Sequence, residues 1–195
     1  HDLKEIRANP GREQYDVLFE RCSALMAAIV DLPKPVIARV HGIATAAGCQ
    51  LVATCNLAIA AETARFSTPG VNIGLFCSTP MVALSRNVAN KHAMEMLLTG
   101  DMIDAAHAQR IGLVNAVAPE SGLDDAVMDL ARKIAAKSPL TLKIGKQAFY
   151  RQREMGLHEA YAYASRVMAE NMEARDAEEG IDAFIEKRTP VWRGD

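Results

Sequence analysis

None of the four cysteines, Cys22, Cys49, Cys55 and Cys77, stands in a C-x-x-C pair. Two fall in segments that read as buried, which fits small hydrophobic side chains in a reducing compartment better than a disulfide framework. No two of the histidines His1, His41, His92, His107 and His158 stand at i, i+3 or i, i+4, and none stands so with a cysteine, so the usual spacing of a zinc site is missing and no metal is expected. Charge of one sign is missing too. The 22 basic and 24 acidic residues are interleaved and sum to a formal −2, which excludes the electrostatic footprint of a nucleic-acid or anionic-membrane binder. The longest apolar run, 43–61, approaches the roughly 20 residues that span a bilayer. It holds Gly48, Gln50, Thr54 and Asn56, and reads as a buried helix followed by a core strand. The opening has no initiator Met, apolar signal region or Arg/Ser-rich transit segment, so the natural beginning is expected upstream and carries whatever targeting there is.

What remains is an ordinary globular composition, 50% hydrophobic and 24% charged over 195 residues, enough for a full core in one domain or two. In 13–30, Leu18, Cys22, Leu25, Met26 and Ile29 form one stripe of an amphipathic helix, ended by Pro33 and Pro35. Residues 36–40 read as a short strand leading into a His41-Gly42 turn, 57–60 and 65–67 as further strands, and Thr68-Pro69-Gly70 as a turn. Ser78-Thr79-Pro80 predicts a capped helix through about residue 88, Asn90 a second cap, and Gly100 the end of that next helix. A short helix over 104–110, capped by Asp104, precedes a strand over 113–117. From there the pattern is helical, over 124–137, 139–153, 157–173 and 176–187. Strands alternating with helices and then a helical tail predict an α/β core over 1–122 and a helical C-terminal subdomain over 123–195. A loop is expected at 8–12.

Two segments carry chemistry. Thr45-Ala46-Ala47-Gly48-Cys49-Gln50-Leu51 puts small residues at the start of a buried helix. The free N–H groups of such a first turn can hold negative charge developing on an oxygen. The same small residues could instead serve only to pack the helix on its sheet, and composition leaves both readings open. In the second segment, Pro69-Gly70-Val71-Asn72-Ile73-Gly74, glycines shape a turn. Cys77 and Ser78 have no histidine in their segment to activate them, and read as a buried thiol and a helix cap. His41 reads as a structural residue at a strand end, able to reach a carbonyl or a water.

These segments, with the opening Asp2-Leu3-Lys4-Glu5, Pro35-Val36-Ile37-Ala38, Leu98-Thr99-Gly100, Ile111-Gly112-Leu113-Val114 and Phe184-Ile185-Glu186-Lys187-Arg188, resemble the crotonase (enoyl-CoA hydratase/isomerase) family in the family's order. The stretches 70–80 and 190–192 look most like one branch of it that lacks the glutamate pair. The resemblance implies a crotonase (ClpP/crotonase-like) spiral of ββα units with a helical C-terminal subdomain, the first strands of that fold lying upstream. It also implies binding of acyl-CoA thioesters, with the carbonyl polarised by two backbone N–H groups, matched here to Ala47 and His1. By the same match His1, Asp2, Leu3, Lys4 and Ala47 would line the CoA site, and Phe184 and Lys187 would contact its adenine and phosphates.

In the family each signature segment supplies one glutamate, and the matching positions are Gln50 and Gly70. Gln50 cannot exchange a proton near neutral pH and Gly70 has no side chain. Two readings follow. One is an acyl-CoA enzyme, classed by similarity as enoyl-CoA hydratase (lyase) or isomerase, that stabilises a thioester enolate without the usual acids. The other is a non-catalytic acyl-CoA binding or regulatory protein. Neither needs a permanently bound cofactor, the CoA thioester being substrate or ligand. The resemblance further implies a homotrimer or dimer of trimers, no nucleic-acid or membrane partner, and a cytoplasmic location, mitochondrial in a eukaryote.

Overall fold

The computed structural model describes residues 2–195. Its elements fall into two units, His1–Val30 with Val36–Met128, and Asp31–Pro35 with Asp129–Asp195.

The first unit opens with α1 (Leu3–Ala8), where Asp2 caps the helix by accepting the Lys4 N–H at 2.8 Å. After a short break comes α2 (Arg12–Asp31), whose buried residues Cys22, Met26 and Ile29 lie on the expected stripe. β1 (Ile37–Val40) and β2 (Ile43–Thr45) follow, then α3 (Ala47–Thr54), β3 (Leu57–Ala61) and β4 (Arg65–Ser67). A 3-10 turn, Pro69–Ile73, leads into α4 (Ser78–Asn87), α5 (Asn90–Thr99), β5 (Ile103–Asp104), α6 (Ala105–Arg110) and β6 (Ala116–Ala118). The strands form two three-stranded sheets, ordered β1-β3-β6 and β2-β4-β5. All pairings are parallel except β4 with β5. β3 is built from Leu-Ala-Ile-Ala-Ala, and Ala58, Ala60 and Ala61 are almost fully buried in it. Side chains this small let the layers approach closely. Around them Val40, Cys49, Val52, Phe66, Leu84, Met96, Leu97 and Val114 close one hydrophobic core.

α7 (Leu123–Ala135) spans the division between the units. The second unit continues with α8 (Pro139–Gln152), α9 (Leu157–Met172) and α10 (Arg175–Glu186), which pack on one another. Its most buried acid is Asp176, 2% exposed. Asp176 accepts the Ser138 hydroxyl at 2.6 Å and the N–H groups of Arg193 and Gly194 at 2.7 and 3.1 Å, strapping the final residues onto α10. Glu179 adds a bidentate pair with Arg188, at 2.6 and 2.9 Å, and accepts the Val191 N–H at 2.8 Å.

Four local expectations are corrected. Ser78 and Asn90 do not cap: each is the first residue of its helix, behind Cys77 and Ala89, and no side chain caps either one. The Ser78 hydroxyl donates back to the Phe76 carbonyl at 3.3 Å. The strand expected over 113–117 begins only at Ala116, because the Leu113 and Val114 N–H groups turn to the Ala108 carbonyl at 2.9 and 3.3 Å. The residues after His41-Gly42 first form β2 before the helix starts, three residues being too few to show alternation. By contrast Asp104 caps α6 as expected, accepting the His107 N–H at 2.7 Å. Gly100 ends α5 at φ +67°, a left-handed conformation that favours glycine.

Candidate functional site

The two signature segments leave the same end of one sheet. β2 and β4 run parallel, with Thr45 paired to Ser67 at their last residues, so the chain exits both strands side by side. The link is reinforced there: the Ala46 N–H donates to the Ser67 carbonyl at 3.0 Å, and the Thr45 and Ser67 hydroxyls bond each other at 3.0 Å. Ser67 is 1% exposed while Thr45 is exposed, so the tie satisfies a buried hydroxyl from a partner at the surface.

Ala46 then takes φ 49° and ψ −113°, a conformation a residue with a Cβ adopts only under constraint. The Ser67 bond holds its N–H, and its carbonyl accepts the first helical bond, from the Gln50 N–H at 2.9 Å. The N–H groups of Ala47 and Gly48 precede that first bond and have no acceptor among the described residues. Beside Gly48 there is room: a Cβ built on it meets nothing within 4 Å. Gly48 also lines, with His41, Gly42, Ile43 and Leu51, a cavity of 440 Å³ along β1.

Gln50 points inward, 4% exposed, and its Oε1 accepts the Cys22 thiol of α2 at 3.7 Å. The neighbouring Cys49 is 1% exposed, and burial, with the Cys77 thiol nearby, pushes its pKa up to about 12. Cys49 is thus a neutral thiol at any physiological pH.

The second segment is built the opposite way. A Cβ on Gly70 would lie 2.6 Å from the Leu75 carbonyl oxygen and 2.9 Å from the Cys77 sulfur. The Leu75 N–H donates to the Gly70 carbonyl at 2.9 Å, and Gly74, at φ +77°, turns the chain back to make that contact. Just before this turn the Thr68 hydroxyl is buried without a hydrogen-bond partner among the described residues.

Of the remaining expected site residues, Asp2, Leu3 and Lys4 are exposed at the start of α1. No hydrogen bond connects them to the 46–50 turn. His1 lies outside the described residues. Phe184 and Lys187 belong to the second unit. Phe184 is 85% exposed, and Lys187 ends α10 in a left-handed conformation at φ 57°. Sequence reasoning missed Cys22 as the partner of Gln50, the Thr45–Ser67 tie and the packing on Gly70. Cys22 carried no signal beyond its place on an apolar stripe.

The profile of the enoyl-CoA hydratase/isomerase family matches residues 1–195. The chain belongs to that family. Human enoyl-CoA hydratase domain-containing protein 3, mitochondrial, is 50% identical over 192 residues, covering 98% of this chain and 63% of the human protein. The crystal structure of that human protein superposes at a TM-score of 0.95, with 50% identity, over 98% of this chain and 76% of the other. A crystal structure of an enoyl-CoA hydratase from Mycobacterium smegmatis gives a TM-score of 0.96 at 56% identity, over 98% of this chain and 75% of the other. The fold is therefore that of a crotonase, and the chain sits in the branch of domain-containing protein 3. It spans 63–66% of the length of the curated relatives in that branch.

Proposed function

We propose that this crotonase-family chain binds an acyl-CoA thioester, with the thioester oxygen at the Ala47 N–H and at that of His1, and CoA along Asp2, Leu3 and Lys4. The observation that carries the reading is the Ala46 turn. It leaves the Ala47 N–H without an acceptor among the described residues and keeps open space at Gly48, where a ligand must approach the backbone. A thioester carbonyl held there gains most as its oxygen becomes an enolate. The α-proton and any water must then be handled by the substrate's own groups or by bound water, since Gln50 and Gly70 supply no carboxylate. By the resemblance, Phe184 and Lys187 would meet the adenine and phosphates of a CoA held by a neighbouring subunit, Lys187 as a point charge.

The second reading, a non-catalytic acyl-CoA binder, is favoured by one observation, the closed packing on Gly70. Self-association into trimers is supported by the large apolar side chains exposed on α9 and α10, among them Leu157, Tyr161, Met168, Phe184 and Ile185. A mitochondrial location in a eukaryotic cell is supported by the names of the vertebrate relatives.

Calorimetric titration with a panel of acyl-CoA thioesters, followed by a turnover assay on each binder, tests both readings. Binding with product release supports the enzyme, and binding without turnover on any thioester supports the binder. No binding on the panel contradicts both.

A further inference from the structure

Gln50 and Gly70 both stand where the family resemblance places an acid, yet the structure treats them differently. Gln50 has the size of a glutamate and already occupies a buried slot against Cys22. Gly70 has no slot. Contacts under 3.0 Å are ones that real Cβ atoms essentially never make, and the nearer of the two obstacles is a backbone oxygen. That oxygen cannot swing aside as a side chain can. It belongs to Leu75, whose N–H is bonded to the Gly70 carbonyl, so moving one end of the loop breaks the other. The second obstacle, Cys77, is itself buried at 8% exposure, immediately before α4.

We infer that the 70–77 loop is folded onto position 70 so that no side chain fits there. The wall of the proposed acyl site on this side is then the Leu75 carbonyl and the Cys77 thiol, where a carboxylate would otherwise stand. The inference rests on the acyl-CoA reading only for the ligand; the packing itself does not depend on it. Its consequence is a restriction on substrate class. The site suits thioesters whose reaction draws no base or acid from this turn, and it does not become a two-carboxylate hydratase by point substitution. The exposed side chains that follow, Ile73, Leu75 and Phe76, are apolar, and give the same loop a surface that favours an uncharged acyl group.

Two measurements test this. The first is thermal unfolding of Gly70→Ala, alone and with Cys77→Ala. The expected result is a Tm lowered by about 4 °C or more by Gly70→Ala, and a smaller drop in the Cys77→Ala background, where the sulfur is gone and the carbonyl remains. The second is hydration of crotonyl-CoA by Gln50→Glu and by Gln50→Glu/Gly70→Glu. The expected result is that the second glutamate adds nothing. A Gly70→Ala protein with the parent's Tm would overturn the inference, as would a double variant at least tenfold faster than Gln50→Glu. Should the double variant not fold, the two Gly70→Ala measurements decide alone. Failure of the parent chain to bind any acyl-CoA removes the proposed ligand but leaves the Tm contrast intact, so the two failures are told apart.

Discussion

The turn after β2 and the turn after β4 leave the same edge of one sheet, tied through Thr45 and Ser67, and are built in opposite ways. At the first, the glycine, Gly48, has empty space beside it, and Gln50 fills a buried slot with a side chain of glutamate's shape. At the second, the loop packs directly against the glycine, Gly70, and leaves no room for a Cβ. Replacing a carboxylate by its amide changes charge and leaves the backbone alone. Closing a loop on a glycine changes the backbone, and reversing it requires several residues to move together.

Substitutions ordered by expected effect can break this contrast. Gly70→Glu should cost the most, about 3 kcal/mol or more, because a long polar side chain is forced against a backbone oxygen. Chemical denaturation at neutral pH measures it. Thr45→Val should cost about 1–3 kcal/mol by leaving the buried Ser67 hydroxyl without its partner. Ser67→Ala in the same background should recover much of that loss, which a double-mutant cycle reads directly.

Gln50→Glu should be milder, because volume is kept. Its cost should depend on pH, since burial raises the pKa of a carboxyl. With a folded pKa above the unfolded one, the penalty is absent below the unfolded value and grows as pH rises toward the folded value. The stability difference between Gln50→Glu and the parent, followed from pH 4 to 8, checks the sign. At the small end, Gly48→Ala should stabilise by about 0.5 kcal/mol, because alanine fits the space and limits the unfolded chain. If the proposed site is right, the same methyl should weaken acyl-CoA binding, so calorimetry on this variant separates fold from ligand.

A reference region lies away from both turns. In the second unit the Arg188 guanidinium, with the Val191 N–H, lowers the Glu179 carboxyl to about 2. The Ser138 hydroxyl and the Arg193 N–H hold Asp176 below its usual value. Both folded pKa values are depressed, so their stabilisation is full above the unfolded carboxylate range and is lost as pH falls through the folded values. Asp176→Asn should flatten the acid limb of the Tm profile, on the acid side of the usual carboxylate range, without touching the contrast between Gly48 and Gly70.

The long elements were legible because their signal is periodic and local: α2 spans Arg12–Asp31 where the stripe predicted 13–30, and α10 spans Arg175–Glu186 where 176–187 was expected. β2 was not, being three residues long and stabilised by a partner 22 positions away. Helix caps at Ser78 and Asn90 failed because residue type permits a cap but does not compel one. At the site, the segments 45–51 and 69–74 could be named from their residues. The partner of Gln50 sits 28 positions earlier in the chain, and the fullness around Gly70 depends on how a turn folds back on itself. Neither leaves a mark on residue spacing.

The central claim is that Gly48 stands in open space and Gly70 in filled space. Thermal unfolding of Gly48→Ala and Gly70→Ala, side by side at one pH, tests it most directly. The account predicts shifts of opposite sign, a slight rise for Gly48→Ala and a drop of about 4 °C or more for Gly70→Ala. Equal shifts, or a Gly70→Ala protein as stable as the parent, would contradict it.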